Sequence, residues 1–107
     1  MFIDSDVKLN QYKRDMHYVY VLICKNGSFY TGITLNLKNR FNLHQSGKVL
    51  STRWRVPVKL VFFSVVPNKF IAANLEKFLK SKSGRIFVKK YILPKKLAKQ
   101  TRQVYLA

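Results

Sequence analysis

Two early stretches are dense in apolar residues of the kinds that suit strands. "HYVYVLIC" (His17 to Cys24) and "FYTGIT" (Phe29 to Thr34) are rich in β-branched and aromatic residues, and the intervening "KNGS" is a hairpin signal. The first of them is apolar on both faces, as a central strand should be. The period then lengthens. "LNLKNRFNLHQSG" reads as a short amphipathic helix built on Leu37 and Phe41, capped at Thr34 or Asn36 and stopped at Gly47. The loop "KVLSTRWRVP" leads to a third strand, "VKLVFFSVV", after Pro57. "NKFIAANLEKFLKSKSG" is a second helix with Ile71, Leu75, Phe78 and Leu79 as its apolar stripe and Gly84 as its stop, and "RIFVKKYI" adds a short third helix before Pro94. The order β-β-α-β-α, opened by a hairpin that must be antiparallel, predicts an α+β fold with an antiparallel sheet.

The hairpin register is open to a physical test. A two-residue turn at Asn26-Gly27 would pair Ile23 with Tyr30 and place Tyr20 and Tyr30 on opposite faces. A three-residue loop, Lys25 to Gly27 with Gly27 left-handed, pairs Cys24 with Ser28, Leu22 with Tyr30 and Tyr20 with Gly32. Only the second choice makes one face almost wholly apolar, from Val19, Val21, Ile23, Phe29, Thr31 and Ile33, so it is the register expected. The other face then gathers Tyr18, Tyr20, Tyr30 and Gly32.

Composition sharpens this picture. The 107 residues suit one ordinary domain, and 48% hydrophobic with 14% aromatic residues is enough to fold. The net charge is +17. Lys8, Lys13 and Arg14 balance Asp4, Asp6 and Asp15, so residues 1–15 read as a neutral leader and the whole excess falls on residues 16–107. Residues 16–93 are then the domain, and "LPKKLAKQTRQVYLA" makes 94–107 a basic tail. Such a field implies a polyanionic partner, with nucleic acid foremost. An anionic membrane fits less well, because the basic residues are spread through strands and loops and form no single basic amphipathic helix. No apolar run approaches the ~20 residues of a membrane span and no signal peptide is evident, so a cytoplasmic protein is expected. Cys24, the one cysteine, reads as a small buried hydrophobe.

Candidate chemistry sits on the helices. Arg40 and His44 are one turn apart on one helix face, flanking Leu37 and Phe41. There an arginine can present its fork to a phosphate, and a histidine can act near neutral pH. Glu76 is the only acidic residue after Asp15. An i,i+4 pair with Lys80 is worth about 0.3 kcal/mol, which explains why a glutamate is tolerated there but not why it is alone.

These residues resemble the GIY-YIG nucleases. Tyr18-Val19-Tyr20 stands where that family has its first triplet and Tyr30-Thr31-Gly32 where it has its second. "LNLKNRFNLHQSGK" is similar to the family's arginine- and histidine-bearing helix, and "LEKFLKSKSGRIFVKKYI" to the segment around its metal-binding glutamate. The likeness runs from about Met16 to Ile92 and is nearest to small stand-alone bacterial members. It implies a three-stranded antiparallel sheet flanked by helices, and Mg²⁺- or Mn²⁺-dependent hydrolysis of DNA phosphodiesters, in DNA repair or recombination and at the nucleoid when bound. Tyr20 then stands at the general-base or water-orienting tyrosine, Tyr30 at its partner, Arg40 at the phosphate-steadying arginine and Glu76 at the sole protein ligand of the metal. Tyr18 replaces the first triplet's glycine, Ile33 stands where repair-type excinucleases carry lysine, and the late asparagine of some homing-type members has no counterpart.

The chemistry is consistent with one metal. A single carboxylate can hold one Mg²⁺ that keeps several waters, whereas two-metal nucleases need convergent carboxylates that residues 16–93 do not contain. Tyr20, helped toward phenolate by the metal and the basic surroundings, and His44 are alternative general bases. Lys48, Arg53, Arg55, Lys80, Lys82, Arg85, Lys89 and Lys90 are expected to contact DNA phosphates, the sequence leaving open whether RNA is also cut, and no protein partner is required. Trp54 would either stack on bases or cover the core. The competing expectation is a non-catalytic nucleic-acid-binding module, for which the charge alone would suffice.

Overall fold

The computed structural model describes residues 16–93, so the leader and the basic tail expected from the sequence lie outside the described residues. The strands β1 (His17–Cys24), β2 (Phe29–Thr34) and β3 (Val58–Val66) form one sheet in the order β2-β1-β3, both pairings antiparallel. The chain divides into two compact units, one ending at Glu76 and the other beginning at Lys77.

In the first unit β1 is central, and Val19, Tyr20, Val21 and Leu22 are all buried, so residues facing both sides of the sheet leave water. The hairpin adopts the three-residue loop. Tyr20 pairs with Gly32 and Leu22 with Tyr30, Cys24 N donates to Ser28 O at 2.8 Å, and Gly27 takes a φ of 86°, which glycine adopts at little cost. On the β3 side the register slips between Val21 and Leu22, leaving Val61 as an extra residue that bends the edge strand. Helix α1 (Leu37–Gln45) starts at Asn36, whose side chain accepts from Asn39 N, and is released at Gly47 with φ 75°. Its Leu37 and Phe41 pack on a core of Tyr20, Leu22, Cys24 and Val58, with Tyr30 and Val56 at the margin. A fully buried aliphatic side chain such as Leu22 contributes about 2 kcal/mol by transfer from water. Gln45 clamps β3 by donating to Val58 O and accepting from Val58 N.

Helix α2 (Lys69–Lys80) is capped by Asn68, whose side chain accepts from Phe70 N and Ile71 N. Its inward stripe differs from the expected one. Ala72 and Leu79 are buried and Leu75 and Glu76 half-buried, while Ile71 and Phe78 are exposed. The helix is therefore rotated so that Glu76 lies within the inward face, not at its boundary.

In the second unit Ser81 ends α2 and caps α3 (Lys82–Phe87), donating to Phe78 O and accepting from Gly84 N. A π-turn, Val88–Ile92, follows, so the expected third helix is present but begins three residues early. Gly84 is not the stop of α2. It lies buried inside α3, where a Cβ would collide with the Phe78 carbonyl and the Leu79 backbone. Glycine is there for close approach of two backbones, not for a left-handed turn.

Candidate active site

The first unit brings the tyrosine face of the sheet against α1. The pairing of Tyr20 with Gly32 lets the phenol lie across bare backbone, since a Cβ at position 32 would stand 2.6 Å from Tyr20 Oη. Tyr30 reaches the same place from β2, its ring 6.2 Å from that of Tyr20. Arg40 and His44 descend from α1, and the guanidinium hydrogen-bonds the phenols of both Tyr20 and Tyr30. His44 is wholly buried, 4.9 Å by ring centroid from Tyr30 and edge-on to Tyr20. His44, which its spacing places on the flank of Leu37 and Phe41, lies inside the core instead and is the only buried residue of α1.

Hydrogen bonding orients this cluster. Tyr20 Oη is 2.9 Å from His44 Nε2, and His44 Nδ1 is 2.7 Å from Thr52 Oγ1. The Tyr20 hydroxyl proton is buried and needs an acceptor, and His44 Nε2 stands within hydrogen-bond distance of it, while Arg40 can only donate. His44 is then the Nδ1–H tautomer and donates to Thr52, giving a line that runs Arg40, Tyr20, His44, Thr52.

Burial raises the Tyr20 phenol above its ordinary value, outweighing the opposing hydrogen bond and charge of Arg40. Basic surroundings alone therefore do not bring Tyr20 to phenolate, and it is a phenol at neutral pH. His44 is lowered to about 4, first by burial and then by the Arg40 charge, so it is neutral and free to accept.

Stability should follow pH accordingly. The unfolded His44, with a value near 6.5, takes up its proton before the folded one does. The contribution is fully present above about pH 6.5 and is lost as pH falls from there to about 4, on the order of 3 kcal/mol in all. Urea melts at pH 7.5 and 4.5 should show this loss in the wild type and a smaller one in His44→Gln. Equal losses would contradict it.

Glu76 stands in the inward face of α2, and its charge is felt at the Tyr20 phenol, which it raises. Among the described residues no group of three His, Cys, Asp or Glu side chains stands together. An all-protein metal cage is thus excluded from residues 16–93, whereas a single carboxylate fits a hard divalent cation that keeps most of its water and takes further oxygens from a phosphate.

The expected phosphate contacts divide. Lys48 and Arg53 are exposed in the first unit. Arg55 is engaged within the protein, one Nη donating to Ser28 Oγ and the other to Ser51 O, both at 2.7 Å, so part of its guanidinium fork braces a turn. In the second unit Lys80, Lys82, Arg85, Lys89 and Lys90 are exposed, and Arg85 donates to the Lys80 carbonyl. Trp54 is 82% exposed, which overturns a core-covering role. Among the described residues no helix is long and apolar enough to cross a membrane.

Thr52 is not legible from the sequence as part of this site. It lies in a loop without periodicity, at the start of the short 3₁₀ turn Arg53–Arg55, and is fully buried. Its spacing from His44 has no helical or strand meaning, so nothing local in the sequence marks it.

Residues 16–91 match the family model of the GIY-YIG catalytic domain. The chain is 47% identical over 66 residues to a UPF0213 protein of Clostridium perfringens, covering 61% of this chain and 71% of that one. A UPF0213 protein of Streptococcus pneumoniae is 42% identical over 66 residues, covering 61% and 67%. The solution NMR structure of a UPF0213 protein from Bacillus halodurans superposes with a TM-score of 0.50 at 34% identity, covering 83% of this chain and 99% of that one. Tyr20, Tyr30, Arg40, His44 and Glu76 all fall within the matched residues, and the chain belongs to the GIY-YIG nuclease superfamily, with the small bacterial UPF0213 proteins among its relatives.

Proposed function

We infer that the protein is a divalent-metal-dependent DNA endonuclease that hydrolyses phosphodiester bonds at this cluster, in DNA repair or recombination. The observation that carries the reading is the gathering of a second tyrosine, an arginine and a neutral histidine around the Tyr20 phenol, which also feels the chain's only late carboxylate. A module that only binds nucleic acid would use the +17 charge but would gain little from a buried Tyr–His–Thr line, whose polar groups are costly unless all are satisfied.

Glu76 would hold the Mg²⁺ or Mn²⁺. Such an ion, when bound, supplies Lewis acidity to the phosphoryl oxygens and an acidified water. The chain's own residues do the rest. Arg40 sets a fixed positive charge beside the phosphate, where charge develops in the transition state. Tyr20 and His44 act as one relay and not as alternatives: the phenol accepts the proton of the attacking water while passing its own to His44 Nε2. The incoming phosphate, being anionic, favours the imidazolium that results. Thr52 holds the imidazole in the tautomer that leaves Nε2 open, and Tyr30 anchors the Arg40 guanidinium from the other strand.

A set of end-labelled single-stranded, duplex and flapped DNAs tests the reading. Incubation with Mg²⁺ or Mn²⁺ should nick at least one of them, and EDTA should stop the reaction. Purified protein that cuts none of the set with either metal would overturn it.

A further inference from the structure

One exposed aromatic has no part in the chemistry of the cluster. Trp54 is 82% exposed, the most exposed of the large apolar side chains among the described residues. Leaving an indole in water forgoes the transfer free energy that burial would return, so its position calls for a partner. Its mounting is rigid. The 3₁₀ turn Arg53–Arg55 is closed by Arg55 N donating to Thr52 O at 2.8 Å, and Thr52 N in turn donates to Val49 O. The Arg55 side chain ties the turn to Ser28 and Ser51, and the Arg55 carbonyl accepts from Lys25 N in the hairpin loop at 2.9 Å. The turn is therefore held by bonds on both sides while the indole itself stays outside the core. Arg53 lies 5.0 Å from the indole centroid, over one face.

Two features point to the class of partner. The surrounding charge is positive, from Lys48, Arg53 and Arg55, with no acidic side chain among the described residues of the first unit except Glu76. A cationic setting around a flat aromatic ring suits a nucleobase, whose backbone phosphate the arginine can meet while its π-face meets the indole. The turn also belongs to the site: Thr52, two residues before Trp54, hydrogen-bonds His44.

We propose that Trp54 is a stacking platform for an unpaired nucleobase beside the catalytic cluster, so that the preferred substrate is DNA with a single-stranded segment next to the cleaved bond. Its placement beside the cleaved bond rests on the nuclease reading; the stacking itself does not. A paired base keeps both faces stacked on its neighbours, so duplex offers the indole no partner except at an end. Leu50, 73% exposed on the same loop, would favour a lipid surface instead, and that alternative is separable.

Trp54 is the only tryptophan in the chain, so its fluorescence reports on this position alone. In EDTA, where nothing is cut, titration with a thymidine oligonucleotide should quench the emission, while a long circular duplex should bind, by sedimentation, without quenching. Trp54→Ala should weaken the oligonucleotide complex by about tenfold and leave duplex binding unchanged, and Trp54→Tyr should recover most of the loss because a ring remains. Oligonucleotide binding without quenching, equal weakening of both complexes, no binding of the oligonucleotide, or an emission blue shift on anionic phosphatidylglycerol vesicles in place of quenching on DNA would each overturn the proposal. The readout needs no turnover, so a failure of stacking leaves the nuclease reading intact, and an absence of cleavage leaves the stacking result intact.

Discussion

Glu76→Gln should abolish metal-dependent cleavage, by about 100-fold or more, and leave both the fold and DNA affinity nearly unchanged. The substitution keeps the shape of a half-buried helix side chain and removes one negative charge from a strongly positive protein, so binding to a polyanion should be unaffected or slightly tighter. What is lost is the only carboxylate in residues 16–93 able to hold a hard cation. Stabilisation of phosphoryl charge by such an ion is worth several kcal/mol, which is the stated loss in rate. Single-turnover cleavage together with a filter-binding titration on the same DNA checks both halves. Cleavage at near wild-type rate would remove Glu76 from the chemistry, and loss of binding in step with activity would make it structural.

Gly32→Ala should be nearly as damaging to activity through a different route. The added Cβ would stand 2.6 Å from Tyr20 Oη and 2.8 Å from Cζ, closer than unbonded atoms tolerate. Gly32 has no positive φ, so the backbone itself accepts alanine and the whole strain falls on the Tyr20 ring. That ring is 1% exposed and bonded to His44 and Arg40, so it can relieve the contact only by leaving its partners. The expected results are a stability loss of about 1–3 kcal/mol from overpacking and a loss of cleavage of about 100-fold, the usual worth of a positioned proton-transfer group. Thermal melts and single-turnover rates on the same preparation separate the two effects. A variant as active as the wild type would show that the phenol's position is not needed.

The glycine also shows what is legible in the sequence and why. The hairpin register follows from two constraints that agree, a loop able to place Gly27 at positive φ and one strand face that becomes almost wholly apolar, and once the register is fixed Tyr20 must lie opposite Gly32. Arg40 and His44 follow from their one-turn spacing. The inward face of α2 does not follow, because hydropathy favours bulky Ile71 and Phe78 while the buried position is taken by Ala72, whose small side chain carries little apolar signal. Gly84 reads as a stop because a glycine near a helix end usually is one, and only the path of the next helix reveals the backbone it must pass. The protonation of the site escapes the sequence for a related reason. Charge can be counted along a chain, but burial of Tyr20 and His44 depends on packing, and it is the largest influence at both. Thr52 needs a fold-back that no local pattern encodes.

The claim on which everything rests is that one carboxylate and one metal suffice. The most direct measurement is the single-turnover cleavage rate as a function of Mg²⁺ concentration. A one-metal site should give a hyperbolic rise with a Hill coefficient of about 1, absent in Glu76→Gln. A sigmoidal rise with a coefficient approaching about 2, or cleavage that persists in EDTA, would contradict it.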